Sequence, residues 1–139
     1  MATKDNIFIL QYPVSIQVVP REVLVDQQII SVRDALVGDV SSVQPPTDPF
    51  YVGFTIRDFD VFSSVYRDDL RVLLDQSFLD TANLQSIEVL KGPAAMLFGH
   101  LEPGGIVNLV VKRPLDTPYY WVQVQPGSFG LTRTTPQGR

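Results

Sequence analysis

The stretch Leu84-Gln-Ser-Ile-Glu-Val-Leu-Lys-Gly-Pro93-Ala-Ala-Met-Leu-Phe-Gly-His-Leu-Glu-Pro103-Gly-Gly-Ile-Val-Asn-Leu-Val-Val-Lys-Arg-Pro114 decides how the chain folds. It opens as a strand, with Ile87 and Val89 on one face and Glu88 on the other. Lys91-Gly92-Pro93 ends that strand, and proline suits the first position of a short helix. Ala94, Ala95, Met96 and Leu97 are good helix formers, and Gly99 stands where a helix stop belongs. Pro103-Gly104-Gly105 reads as a turn, and Ile106 to Val111 as a buried strand closed by Lys112-Arg113-Pro114. The predicted unit is strand, turn, one-turn helix, glycine turn, strand.

Three groups of these residues also carry a family resemblance. They are Ile87 to Pro93 followed by Leu97-Phe98-Gly99, then Gly104-Gly105-Ile106-Val107-Asn108, then Lys112-Arg113-Pro114. Together they resemble the plug domain of TonB-dependent outer-membrane receptors, with siderophore receptors the closest subgroup. About thirty residues match in order with little slack.

Length and composition agree with a folded domain. A chain of 139 residues suits one domain, and 45% apolar with 19% charged residues argues against disorder. The net charge of −4 argues against a nucleic-acid partner, which would call for a basic patch. With no cysteine there is no disulfide, thiol nucleophile or thiolate metal site. The start Met1-Ala2-Thr3-Lys4-Asp5 has no long apolar run of the secretory-signal kind, and no apolar run approaches the ~20 residues of a membrane helix. The expectation is therefore a chain that is soluble by itself, taken from a mature receptor or engineered, with Met1 supplied for initiation.

In chain order, Pro13 to Pro20 resembles the first plug strand, with Ile16 and Val18 alternating with Ser15 and Gln17. Asn6 to Tyr12 is apolar where the family is polar and reads as an extra edge strand. The family's energy-coupling TonB box would lie upstream of Ala2. Helices are expected over 20–28 and 31–37, the second with Ser31 as N-cap and Gly38 as stop. Gly38 to Pro49 is a Ser/Pro/Asp-rich loop.

A strand is expected over 53–58, and its Phe54-Thr55-Ile56-Arg57 is similar to a family motif in which glycine stands at the Asp58 position. Val65 to Arg71 is similar to a family hairpin, and there Asp69 replaces glycine. Aspartate tolerates positive φ better than most residues, so both turns can form at some cost. Leu70 to Leu79 is unusually apolar and is read as core packing or as ligand-facing. Asp80 to Leu84 reads as a capped turn. Tyr119 to Gln125 alternates like a barrel strand with one lipid face, and Gly127-Ser128-Phe129-Gly130 resembles the first barrel turn. A barrel of this class closes with about 22 strands, so the tail is read as a remnant, ready to pair within the chain or with a second copy.

No catalytic chemistry is legible. His100 is the only histidine and lacks the companions of a zinc site. There is no Gly-x-Ser-x-Gly elbow and no phosphate loop. Asp68, Asp69 and Asp75 lack calcium-loop spacing and read as a solvated face. No enzyme, metal or cofactor is expected.

The fold class expected is α+β, a small mixed four-stranded sheet near 15–19, 53–58, 86–91 and 106–112 with short helices near 20–28, 31–37 and 94–98. Residues 1–114 form the plug, and 115–139 the linker and remnant of the first barrel strands. The resemblance implies a gate that occludes the receptor's own barrel, helps bind an iron–siderophore, and is rearranged when TonB pulls on its N-terminus. It implies ligand contacts from Arg57, Tyr66, Leu73 and Leu74, and barrel-contacting charges at Arg57, Glu88, Lys91 and Arg113, with Glu88 otherwise pairing locally with Arg57 or Lys91. Structural glycines are Gly92, Gly99, Gly104 and Gly105. The parent receptor would lie in the outer membrane, facing the periplasm. The alternative is an isolated, engineered plug-derived domain serving as a soluble binding or scaffold module, self-associating through residues 119–125.

Overall fold

The computed structural model describes residues 15–45, 54–61, 64–72, 80–92, 103–113 and 116–138. Strand β1 (Ser15–Pro20) leads directly into helix α1 (Arg21–Asp26), followed by α2 (Val32–Asp39) and the short β2 (Val43–Gln44). Two tight hairpins come next, β3 (Thr55–Ile56) with β4 (Phe59–Asp60) and β5 (Val65–Arg67) with β6 (Leu70–Val72). The long central strands are β7 (Leu84–Lys91) and β8 (Gly105–Val111), and the chain ends in a hairpin of β9 (Tyr120–Pro126) and β10 (Thr132–Gly138).

The main sheet has five strands in the order β1-β7-β8-β5-β6, antiparallel except for the parallel β5–β8 pair. One face, carrying Val19, Ile87, Val89, Val107, Leu109 and Val65, joins the core with Leu24 of α1 and Ala35 and Leu36 of α2. The period of two puts a different set on the other face. Register aligns Val18, Glu88, Asn108, Tyr66 and Arg71 there in one row across all five strands.

The α+β class holds, while the sheet differs in membership. The segment expected as one of the four strands, 53–58, lies instead in a separate three-stranded sheet, β2-β3-β4. Phe54, Thr55 and Ile56 are all buried, so the segment has no exposed face, and a turn cuts the strand off after two residues. Its place is taken by β5, which is hung on β8 by its turn: Asp68 N donates to the Leu109 carbonyl at 3.1 Å, and Val111 N donates to Asp68 Oδ1 at 3.0 Å.

Both hairpin turns carry positive φ at two successive residues, Arg57 and Asp58 (53° and 66°) and Asp68 and Asp69 (47° and 66°). That is the type I′ pattern, whose twist matches a tight two-residue hairpin and which glycine would satisfy more cheaply. Helix α1 stops at Asp26, short of the expected residue 28, because Gln28 turns to φ 54°. Helix α2 has its predicted N-cap, with Ser31 Oγ accepting from Arg33 N at 3.1 Å. It runs through Gly38 rather than stopping there; that residue is solvent-facing, and the end comes when Val40 turns extended. The helix expected at 94–98, the apolar run 6–12, Asp75 and His100 lie outside the described residues.

The tail pairs within its own chain. β9 and β10 form an antiparallel ladder from Tyr120↔Gly138 to Pro126↔Thr132, joined by a turn with Phe129 and Gly130 at positive φ. Pro126 therefore closes the ladder at the turn end, where it costs little.

Candidate functional site

Two polar centres sit at opposite ends of β7. At its C-terminal end, Lys91 is only 4% exposed. Its Nζ donates to Gln17 Oε1 on β1, to the Ser41 carbonyl, and to Ser41 Oγ at 2.9 Å. Ser41 Oγ in turn donates to Gln17 Oε1 at 2.9 Å. Among the described residues no carboxylate pairs with this ammonium. Burial pushes the Lys91 pKa below its ordinary value, and the positive charge of Arg57 adds to that. Arg57 itself is exposed, at the tip of the β3–β4 hairpin.

The close approach of β8 to this end of β7 depends on Gly105. It pairs with Lys91 at φ 138°, and a Cβ there would run into the Leu90 carbonyl oxygen. Gly92, just past the strand, has φ 110°. Gly104 seats the turn against the second sheet, since a Cβ would come 2.8 Å from the Ile56 carbonyl oxygen. Gly99 lies outside the described residues.

Glu88 does not pair with Arg57 or Lys91 as expected. Its Oε2 accepts from Asn108 Nδ2 at 3.2 Å. The reason is parity: Glu88 and its cross-strand neighbour Asn108 share one sheet face, and Lys91, three residues on, is on the other. Asn108 is 1% exposed, its Oδ1 accepts from Asp69 N at 3.4 Å, and it lies opposite Tyr66, which is 8% exposed. The structure thus brings Glu88 and Tyr66 to either side of Asn108. Arg113 is exposed beyond the end of β8, and Leu73 and Leu74 lie outside the described residues.

The N-terminal end of β7 begins at a turn that sequence reading treated only as a cap. Asp80 Oδ1 accepts from Ala82 N at 2.6 Å, the local bond its position predicts. Thr81 Oγ1 donates to the Ile29 carbonyl at 2.6 Å, while its own carbonyl accepts from Arg21 Nη1 at 2.9 Å. Lys112 Nζ donates to the Ala82 carbonyl at 2.6 Å. Asp80 also receives Arg133 Nη2 of β10, at 2.8 and 2.7 Å to its two oxygens. This turn therefore ties α1, the end of β8 and the terminal hairpin together. A pocket of about 310 Å³, open solvent included, lies among them, lined by Arg21, Thr81, Gln123, Gln125, Arg133 and Thr135 with apolar residues of α1. The hairpin turns Gln123 and Gln125 toward this pocket and leaves Tyr120 (81% exposed), Val122 and Val124 facing outward.

Among the described residues no three His, Cys, Asp or Glu side chains group to hold a metal, and no helix is long and apolar enough to cross a membrane. What the arrangement offers is a mixed sheet with buried polar ties at both ends of one central strand and an apolar, outward-facing hairpin behind it.

Residues 9–106 match the TonB-dependent Receptor Plug Domain, and the chain belongs to this family. It is 31% identical over 140 residues to the ferrichrome outer membrane transporter/phage receptor of Escherichia coli K12, covering 95% of this chain and 19% of that one. It is 33% identical over 141 residues to the metal-pseudopaline receptor CntO of Pseudomonas aeruginosa, covering 96% and 19%. Among solved structures, the ferric-catecholate import receptor Fiu from E. coli K12, open form, superposes with TM-score 0.75 at 27% identity over 89% of this chain and 18% of that one. The ferripyoverdine receptor of the P. aeruginosa outer membrane superposes with TM-score 0.82 at 23% identity, over 96% and 18%, a likeness of fold. These relatives are receptors and transporters, and the chain spans about a fifth of their length.

Proposed function

We propose that this chain is the gate of an outer-membrane receptor that takes up iron–siderophore chelates. The observation that carries the reading is the match of residues 9–106 to the plug family, which spans both polar centres of β7. In this reading residues 1–114 occlude the lumen of the receptor's own β-barrel, and 115–139 supply the linker and first barrel strands. The outward apolar face of β9, with Tyr120, Val122 and Val124 exposed, supports a lipid-facing strand. TonB, drawing on the N-terminal segment, is the energised partner.

Arg57 and Tyr66, with Leu73 and Leu74, are assigned to the ligand side. Arg57, Glu88, Lys91 and Arg113 are the charges assigned to the barrel wall. Lys91 belongs to that set by its charge, although its hydrogen bonds run to Gln17 and Ser41.

The test is uptake of radioactive iron by cells that carry the receptor as their sole siderophore receptor, offered hydroxamate, catecholate and mixed chelates. Uptake of one class that stops when the inner membrane is de-energised is expected. No energised uptake of any class would refute the gate. The plug by itself should bind chelates weakly, because a site shared with a barrel wall loses contacts, and a loss of even ~4 kcal/mol weakens binding about a thousandfold. A submicromolar complex with the plug by itself, seen by calorimetry, would contradict a shared site.

A further inference from the structure

Among the described residues, strand β1 is an edge strand whose sheet partner is β7. Its two ends are fastened differently. At the Pro20 end the chain passes straight into α1, whose Arg21 bonds to the Thr81 carbonyl, and Thr81 also holds the Ile29 and Ile30 carbonyls. That end is built into the fold. At the Ser15 end, which lies opposite Lys91, the side-chain tie added to the backbone ladder among the described residues is Lys91 to Gln17. Among the described residues, the three acceptors of the Lys91 ammonium come from Gln17 and Ser41, which precede it by 74 and 50 residues. Lys91 is therefore a tie between the central sheet and the stretch that precedes it, made at the point nearest the chain's N-terminus.

We propose that Lys91 is a latch on strand β1: its ammonium holds the Ser15 end of the strand to β7, and β1 opens from that end once the Gln17 and Ser41 contacts are broken. Antiparallel pairing gives the latch its leverage. A pull on residues before Ser15 loads the Ser15↔Lys91 pair first and reaches Pro20↔Ser86 last, so the ladder opens rung by rung from the latch toward the Thr81 tie. The β7–β8 pair, central in the sheet, bears no such load and stays closed. Use of the latch in gating rests on the plug reading above, but the latch is a property of this chain and can be measured without transport.

Hydrogen exchange on the 139-residue chain tests it. In Lys91→Met the amides of β1, Ile16 to Val19, should exchange about tenfold faster, the loss of roughly one charge-assisted hydrogen bond, while the amides of Val107 and Leu109 keep their wild-type rates. Gln17→Leu leaves the lysine in place and removes one acceptor; it should give the same selective acceleration, and it decides the matter if Lys91→Met does not fold. Unchanged β1 rates would overturn the latch. Equal acceleration in β1 and β8 would also overturn it, since that is the mark of global destabilisation. Iron uptake that fails while the selective pattern holds would remove the gate and leave the latch standing.

Discussion

Replacing Gly105 with alanine probes the close backbone approach of β8 to Leu90. Gly105 holds φ 138°, a region that costs an L-residue ~1–3 kcal/mol. The new Cβ would also overlap the Leu90 carbonyl oxygen, with Leu90 C and Lys91 Cα both at 3.2 Å. These are backbone atoms of the paired strand, so no rotamer relieves the clash. β7 and β8 must part at that end, and one or two ladder hydrogen bonds at ~1 kcal/mol each go with them. The sum is roughly 2–5 kcal/mol, out of a total stability on the order of 5–15 kcal/mol. For a chain of this size that is a fall of roughly 10 °C in the melting midpoint. Circular dichroism melts and urea titrations read it directly. Gly130→Ala is the control: φ there is 76°, nothing lies within 4 Å of the added Cβ, and the cost should stop at about 1 kcal/mol. A Gly105→Ala shift no larger than that of Gly130→Ala would refute the close-approach argument.

Asp69→Gly should raise the urea midpoint by up to ~1 kcal/mol by relieving φ 66° in the β5–β6 turn, and a lowered midpoint would show that the aspartate side chain is needed there. Lys91 makes stability depend on alkaline pH: its pKa in the fold lies below the ordinary 10.5, so the unfolded chain holds the proton more tightly. Wild type should therefore gain stability relative to Lys91→Met as pH rises from the depressed folded value toward 10.5, and a difference that stays flat or falls across that window would contradict the burial. Arg133→Ala breaks the partly exposed ion pair to Asp80, which should cost only ~0.5–1 kcal/mol overall. Because Trp121 is the only tryptophan and sits half-buried on β9, the same change should red-shift its emission, and an unshifted spectrum would mean that the hairpin is held by other contacts.

Much of this fold was legible because the deciding signals are local. Alternation marked β1 and β7, a continuous apolar run marked β8, and the N-cap at Ser31 and the turn at Pro103-Gly104-Gly105 lie within a few residues of what they control. The aspartates standing where the family has glycine gave away the positive φ at both hairpins. Sheet membership was not legible. Thr55-Ile56 and Val65-Tyr66-Arg67 have similar β propensity, and the choice between them is made by Asp68 reaching β8, a contact 43 residues long. The partners of Lys91 and Thr81 were hidden for the same reason, since a hydroxyl or amide 50 to 74 residues away leaves no local trace. Asn108 was the readable signal passed over: a lone amide inside Ile106 to Val111 has to find partners, and it found Glu88 and Asp69. Glu88 takes Asn108 rather than Lys91 because strand parity puts Lys91 on the opposite face of the sheet.

The strand order has a consequence for how the chain comes to be folded. β8 lies between β7 and β5, and β1 waits for a partner that lies, by register, 66 to 76 positions later, from Ser86 for Pro20 to Lys91 for Ser15. Nothing in the first hundred residues can complete the sheet until the segment after Gly105 has arrived. As the chain emerges from a ribosome, β1 has no β7 to pair with until Leu84 and the residues after it are made, and before that the described segments offer two short helices and hairpins of two or three residues per strand, too small to persist in water. Closure is thus late and, with so many distant pairings, slow. A polypeptide that stays open until its last central strand is delivered is one that can still be threaded through a narrow translocation pore, and one that needs shielding of its apolar runs until it gets there.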